Sequence, residues 1–401
     1  MLELKPIFNS LCRSKVGALL LLAQVAITTA IVSNAAFIIN DRLQYLQQDT
    51  GLPEHDIFKF NSLTFGKDIN VSQQTERDEQ ILRNIPSVVD AIAINSVPLS
   101  GGGSSTSFSL KPAGEKAKQS SASYFFVDEH AINTLGVELI AGRDFTANDV
   151  IVSDNYDQLP NVAIITQAMA DDLFAEQNAL GQIIYRGNNA TEIIGIIKLM
   201  KGPWLKDKRK DRSVLIPFVK ANSLQQYLVR TDPGSRAEVM KSIEAKLLQA
   251  YDKRVITDLA GLDEKKADYV AEDTLMMRML IVLIVVLILV TALGIFGLTL
   301  FNISKRTKQI GTRRALGARK SAIVRYFIVE NSLVCAAGLI LGTFASVLLG
   351  QQLMQLYSLP ALSIFYVLAT ALGVYLISII SVIGPATRAA NISPSIATRT
   401  I

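Results

Sequence analysis

Two histidines, His55 and His130, and two cysteines, Cys12 and Cys335, are all the chain offers of the side chains that most often act as general base, thiolate nucleophile or transition-metal ligand. None falls in a cluster with metal-ligand spacing. There is no G-x-S-x-G elbow for an activated serine, and no G-x-x-x-x-G-K-[ST] loop to cradle nucleotide phosphates. Gly101-Gly102-Gly103 is followed by neither a lysine nor a helix, and reads as part of a flexible Ser/Gly linker at 100–109. The acidic pairs Asp171-Asp172 and Asp263-Glu264 read as solvated helix ends. The chemistry that remains is electrostatic. Residues 305–325 carry eight Lys or Arg and no Asp or Glu, between two long apolar runs. Glu330 follows about one turn inside the next apolar run, where an acid is costly. It is either a functional acid or an interfacial cap paired with a loop arginine such as Arg306 or Arg314. One acid does not make a proton relay, so ion-coupled transport by this chain alone is not expected.

The elements that must position this charge are membrane spans. Half of the 401 residues are hydrophobic, and a bilayer core of ~30 Å needs about 20 apolar residues in a helix. Residues 16–39, 279–301, 327–349 and 362–383 qualify. The first is too long for a cleaved signal peptide and reads as a retained span. The chain then divides into an inner N-terminus (1–15), span one (16–39), a large outer domain (40–274) and span two (275–303). A basic loop (304–325), span three (326–350), a short outer loop (351–361), span four (362–383) and an inner tail (384–401) follow. Residues 40–274 hold 26 basic and 33 acidic residues, a net charge of −7, so the formal +5 of the whole chain collects beside the spans. The excess of basic residues in short segments predicts that both termini and the basic loop are cytoplasmic. Nothing in this pattern supports nucleic-acid binding. The outer domain has no cysteine and folds without disulfides.

Span one is expected to continue as a helix through Gln48, stopping at Gly51 and Pro53. Residues 264–277 read as a helix running straight into span two. Between these stalks the pattern is mixed α/β. Strands are expected at 56–63, 88–97, 161–165, 214–218 and 227–230, and a strand pair at 181–185 and 192–197 across Gly187-Asn188-Asn189. Helices are expected at 75–84 and 167–174. Ser235-Arg236-Ala237-Glu238 reads as a capping box opening a helix with Val239, Ile243 and Leu247 on one face. Residues 201–212 are a charged loop containing Trp204. The pieces before Gly101 and after Arg212 could form one subdomain, with 101–211 inserted as another. The fold class is an α-helical membrane protein with four transmembrane helices and a mixed α/β domain inserted between helices 1 and 2.

Span three carries Gly338, Gly342, Ser346 and Gly350 at intervals of four, one small-residue face for close helix packing. Span four repeats this more weakly with Ala369, Gly373 and Ser381. Whether the packing partner lies in the same chain or across a dimer is open. In the basic loop, Gly311 and Gly317 read as breaks around 312–316. With the apolar Ile310 and Leu316 they suggest a short amphipathic helix along the membrane that turns into span three.

Arg306-Thr307-Lys308-Gln309-Ile310-Gly311-Thr312-Arg313-Arg314-Ala315-Leu316-Gly317-Ala318 resembles the R-T-x-E-I-G-x-R-R-A-L-G-A loop of MacB/FtsX-type ABC-transporter permeases. Pro385-Ala386-Thr387-Arg388-Ala389-Ala390 followed by Pro394 is similar to that family's ending. Tyr124-Phe125-Phe126-Val127, Leu135-Gly136-Val137-Glu138-Leu139, Gly142-Arg143-Asp144-Phe145, Asn161-Val162-Ala163-Ile164-Ile165 and Leu180-Gly181-Gln182 resemble its periplasmic signature. The resemblance implies a bacterial inner-membrane permease with a periplasmic domain and no catalytic role of its own. ATP and Mg would be bound by a partner ATPase, since no phosphate loop occurs in these 401 residues. It implies that Arg306, Gln309, Ile310, Gly311, Arg313, Arg314, Leu316 and Gly317 form the coupling helix on that ATPase, with Glu330 supporting the loop. It also implies a second permease, identical or not, and in MacB-like systems a periplasmic adaptor and a TolC-like outer-membrane channel. The expected function is efflux of a peptide, antibiotic or similar substrate from the periplasm by mechanotransmission. Alternatives are control of a periplasmic cell-wall enzyme, as in FtsX, lipoprotein extraction as in the Lol permeases, or a membrane sensor. Two positions depart from the family pattern. Gln309 stands where the family has an acid, and Ile396-Ala397-Thr398-Arg399 replaces E-A-L-R, which suggests the divergent half of a heterodimer.

Overall fold

The computed structural model describes residues 15–66, 69–156, 158–175, 177–357 and 362–392. Cys12, the outer loop at Ser358-Leu359-Pro360, and the tail positions Pro394 and Ile396 to Arg399 lie outside the described residues. The chain separates into two compact units, one of Met1–Gln44 with Asp273–Ile401 and one of Tyr45–Glu272.

Helix α1 covers Lys15–Leu46. At 1.5 Å per residue its 32 residues extend ~48 Å, well beyond the ~30 Å of a bilayer core. The second unit then begins. In chain order it contains β1 (Ile57–Thr64), α2 (Val71–Arg83), β2 (Val88–Ala93), β3 (Ser105–Ser109), β4 (Gln119–Phe126), α3 (Ala131–Leu135), β5 (Leu139–Gly142), β6 (Ile151–Ser153), β7 (Val162–Thr166), α4 (Gln167–Phe174), β8 (Ile183–Arg186), β9 (Asn189–Ile197), β10 (Ser213–Ile216), β11 (Phe218–Lys220), β12 (Leu224–Thr231), α5 (Arg236–Ala250), β13 (Arg254–Gly261) and α6 (Leu262–Tyr269). The membrane unit resumes with α7 (Ala271–Lys305), α8 (Thr307–Ala315), α9 (Lys320–Tyr357) and α10 (Ile364–Ala390).

β1 and β2 pair with β12 and β13 in an antiparallel sheet of order β13-β1-β12-β2. Strand alternation sorts its two faces. Phe58, Phe60, Ala91 and Val229 pack with Leu82 of α2 and Val239, Ile243 and Leu247 of α5. Ile57, Ile92 and Leu228 point the other way, into a core shared with Phe125, Ile164 and Leu215. Those three belong to a mixed seven-stranded sheet, β5-β9-β7-β10-β4-β3-β8, in which β8 also pairs with β9. Its opposite face, with Phe126, Ala163, Ile165 and Val214, packs on Met169, Leu173 and Phe174 of α4.

Four local expectations are corrected. The Ser/Gly linker does not run to Ser109. Residues 105–109 are β3, anchored by Phe108 at 1 % exposure and by a Ser107–Ser121 hydroxyl bond of 3.0 Å, so pairing overrides weak strand propensity. Ser235 is already in the helical region (φ −92°, ψ −7°), and its side chain makes no capping bond. The helix it precedes does bury Val239, Ile243 and Leu247. The second stalk is not one helix, because Val270, buried in the core, ends α6 before α7 starts at Ala271. Gly311 is no break, since it lies inside α8.

Candidate coupling site

α8 is nine residues long and joins two membrane helices. Its own sequence dictates its ends. Arg306 is non-helical (φ −111°, ψ 14°) and separates it from α7. At the far end Gly317 has φ +92°, a left-handed conformation that glycine adopts without strain. The Gly317 N–H donates to the Arg314 carbonyl at 3.1 Å, and the Ala318 N–H to the Arg313 carbonyl at 3.0 Å. These two bonds are a Schellman turn, which reverses the chain into α9. Arg314 Nη1 donates to the Ala318 carbonyl at 3.0 Å and braces the same turn.

Helical periodicity gives α8 two faces. Ile310 and Gly311 are buried. Ile310 joins a cluster with Ile303, Ile323, Phe327, Val382, Ala386, Ala389 and Ala390, and burying one isoleucine contributes ~1.5–3 kcal/mol. The alanines come from the end of α10, where small side chains let α8 approach. Lys320 also donates to Asn391 Oδ1 at 2.7 Å. Lys308, Gln309, Thr312, Arg313, Leu316 and Gly317 face outward, and Leu316 is 83 % exposed.

A charged clamp holds the base of this helix. Arg306 Nη1 donates to Glu330 Oε1 and Oε2 at 2.9 and 3.0 Å, with the two side chains only 16 % and 8 % exposed. Tyr326 stands beside them, its hydroxyl 3.5 Å from Arg306 and its ring 5.2 Å below the Arg313 guanidinium. Tyr326 escaped the sequence reading. Its signal was its position four residues before Glu330, on the same face of α9. Of the loop residues singled out, Arg306, Ile310, Gly311 and Arg314 therefore build the seat. Gln309, Arg313, Leu316 and Gly317 are presented on it.

The small-residue face of α9 lies against α1. A Cβ on Gly338 would meet Val25 Cβ at 2.9 Å, and one on Gly342 would meet Ala26 O and Thr29 Cβ at 2.8 Å. Ser346 and Ser33 share a hydroxyl bond of 2.5 Å, and Asn34 Nδ2 donates to the Ser346 carbonyl at 3.1 Å. Gly350 approaches Asn34 and Leu362. Thr28 and Thr291 bond at 2.8 Å between α1 and α7, and Asn331 bonds Ser378 between α9 and α10. Uncharged polar pairs of this kind tie helices together where water is absent.

These observations define an integral membrane protein of four long apolar helices, with an α/β unit between the first and second and a seated basic helix between the second and third. The chain belongs to the MacB/FtsX family of ABC-transporter permeases. The MacB-like periplasmic core domain matches residues 16–246, and the FtsX-like permease C-terminal domain matches 281–394. It is an inner-membrane protein with a periplasmic domain. The macrolide export ATP-binding/permease protein MacB of Mannheimia succiniciproducens is 25 % identical, over 91 % of this chain and 56 % of that protein. The ABC transporter permease YknZ of Bacillus subtilis is 24 % identical, over 67 % of this chain and 64 % of that protein. The chain thus spans less than two thirds of the length of these relatives. Among solved structures, the periplasmic region of MacB from Actinobacillus actinomycetemcomitans is similar at 17 % identity and TM-score 0.34, over 56 % of this chain and 97 % of that one. The extracellular domain of YknZ gives 16 %, 0.33, 50 % and 100 %.

Proposed function

We propose that this chain is the permease subunit of a MacB-type ABC exporter, and that α8 is the helix by which a cytoplasmic ATPase moves it. The observation that carries this reading is the division of labour within α8. Ile310, Gly311 and the Arg306–Glu330 clamp fix the helix to its neighbours, while Lys308, Gln309, Leu316 and Arg313, which rests on the Tyr326 ring, are exposed. A helix that receives force must be both rigidly seated and exposed. In this reading both termini and α8 are cytoplasmic. ATP and Mg are held by the ATPase, and this chain carries out no chemistry.

Two permeases, identical or different, pair in the membrane. ATPase closure is transmitted to the periplasmic domain, which drives efflux of a peptide, antibiotic or similar substrate through an adaptor and a TolC-like channel. Charge on the exposed face supplies the docking field. The double variant Lys308→Glu/Arg313→Glu should insert normally yet lose at least ten-fold in co-purification with its partner ATPase. Undiminished co-purification would remove α8 as the docking element.

A further inference from the structure

α8 and α9 enclose a groove with a cavity volume of about 30 Å³. Its floor is apolar and built of Ile310, Ile323 and Phe327, all three buried. Its rim is polar, with Arg306, Gln309 and Arg313 on the α8 side and Tyr326 on α9. Positions 309 and 310 each lie one turn before 313, which puts all three on one wall of the groove.

The rim carries donors that nothing in the chain uses. Arg306 reaches Glu330 and Tyr326 through Nη1 alone, so its Nε and Nη2 have no hydrogen-bond partner among the described residues. Both atoms remain accessible. The exposed Arg313 side chain makes no hydrogen bond or ion pair among the described residues and lies only against the Tyr326 ring, at 5.2 Å. No carboxylate is left to answer these groups. Glu330 is the one acid from Thr274 to Ile401, and both its oxygens accept from Arg306 Nη1. The loop pattern of the family has an acid at position 309, where it would face the arginine four residues on. Gln309 keeps the shape of that side chain and lacks its charge. A volume of about 30 Å³ holds roughly two water-sized groups, which matches the two oxygens of a carboxylate and not the four of a phosphate. Guanidinium donors above an apolar floor favour a planar acceptor of this kind.

We propose that this groove receives an Asp or Glu side chain projecting from the partner ATPase, and that Gln309 makes the chain selective for an ATPase that brings this charge. The incoming carboxylate lies between Arg306 and Arg313, with its aliphatic stem on Ile310 and Ile323. An ATPase without the acid would cover two guanidinium groups and leave them unanswered, a repulsive element that discriminates between partners. The inference rests on α8 being the docking helix, and adds what the partner inserts and which residue selects it.

The test uses the full chain in native membranes. Arg313→Lys keeps the charge and puts a primary amine on the rim. A water-soluble carbodiimide then joins that amine to an adjacent carboxylate as an amide and leaves as its urea. Peptide mass spectrometry should find position 313 joined to an Asp or Glu of the ATPase. Gln309→Glu supplies the carboxylate from α8 itself. It should cut that product at least ten-fold, and lower the ATPase adduct of Leu316→benzoylphenylalanine several-fold, with no fall in the unfolding temperature of the purified protein. A product with Glu330 alone, or an ATPase product undiminished by Gln309→Glu, would overturn the groove. So would release of phosphatidylglycerol from the purified protein by Arg313→Gln with the position 316 adduct unchanged, which would reassign the groove to a lipid headgroup. A position 316 adduct without any product from position 313 would overturn the groove and leave the coupling helix standing. Failure of the position 316 adduct with Gln309 in place would remove the coupling reading, and the groove with it.

Discussion

At the scale of single residues, two charged groups carry measurable consequences. Glu330 and Arg306 are both largely buried and satisfy each other, and removing one member of such a pair costs about 3–5 kcal/mol because the other charge is stranded. Glu330→Ala should therefore lower the unfolding temperature of the purified protein sharply, whereas Arg306→Met/Glu330→Met should recover most of the loss. Equal destabilisation by both would show that the pair is not a coupled clamp. In the periplasmic unit, Arg83 serves three carboxylates at once, Asp128 at 2.7 Å, Asp90 at 3.1 Å and Glu79 at 3.7 Å, while His130 bonds Asp90 at 3.0 Å and lies 3.9 Å from Glu129. Burial lifts Asp128 to about 6 against the pull of Arg83. Burial, reinforced by the Asp128 charge, lifts Glu79 well above the usual range. The Asp90 hydrogen bond raises His130. Burial works against Asp90, but its bonds from His130 and Asn133 outweigh it and hold the group low.

Groups with raised folded-state values bind protons more readily folded than unfolded. Asp128 therefore adds stability as pH falls through about 6, Glu79 as pH falls through its raised folded value, and the His130 contribution is full below 6.5 and lost as pH rises through its folded value. Asp90 acts oppositely, but only below its ordinary value of 3.8. The protein should thus melt higher at pH 5.5 than at pH 7.5. One pKa unit is about 1.4 kcal/mol, and each kcal/mol is about 2–4 °C for a unit this size. Asp128→Asn should flatten that slope. A melting temperature that falls on acidification over this range would contradict the account.

At the scale of elements, glycine spacing shows what a sequence pattern does and does not settle. Gly338, Gly342, Ser346 and Gly350 declare a packing face, but their partner depends on how α1 and α9 are brought together, which no local spacing encodes. Gly373 of the weaker pattern in α10 meets nothing within 4 Å, whereas Gly342 is closed in by α1. Gly342→Leu should destabilise the protein by about 1–3 kcal/mol or more through overpacking, and Gly373→Leu should be nearly silent in thermal unfolding. The reverse order would mean that α9 does not pack on α1. The four spans and the mixed α/β character of the large domain were legible from hydropathy and alternation, as was α4, flanked by a clear strand. β13 was not. Asp258 at φ +55° sits where the pairing with β1 slips between Lys59 and Asn61, and this bulge breaks the two-residue period. β3 was hidden because four of its five residues are Ser or Thr and only Phe108 signals a core. For the coupling site, the basic loop and Glu330 stood out by charge. The inward turn of Ile310 depends on Gly311 staying helical, which its type argued against.

At the scale of the whole molecule, the proposed coupling of a cytoplasmic ATPase to the periplasmic domain requires helices longer than the bilayer is thick. α1, α7 and α9 contain 32, 35 and 38 residues, and Arg42 of α1 pairs with Asp273 of α7 at 3.7 Å beyond the apolar part of both. In the proposed function, force applied at α8 would enter this system through the Arg306–Glu330 clamp and the alanine-rich end of α10. The central claim is that the exposed face of α8, and not its buried face, meets an ATPase. The direct measurement is photocrosslinking in native membranes with benzoylphenylalanine placed singly at position 316 or position 310. The account predicts an adduct with the partner ATPase from Leu316→benzoylphenylalanine and none from Ile310→benzoylphenylalanine. No ATPase adduct from position 316, in a protein that inserts and folds, would contradict it.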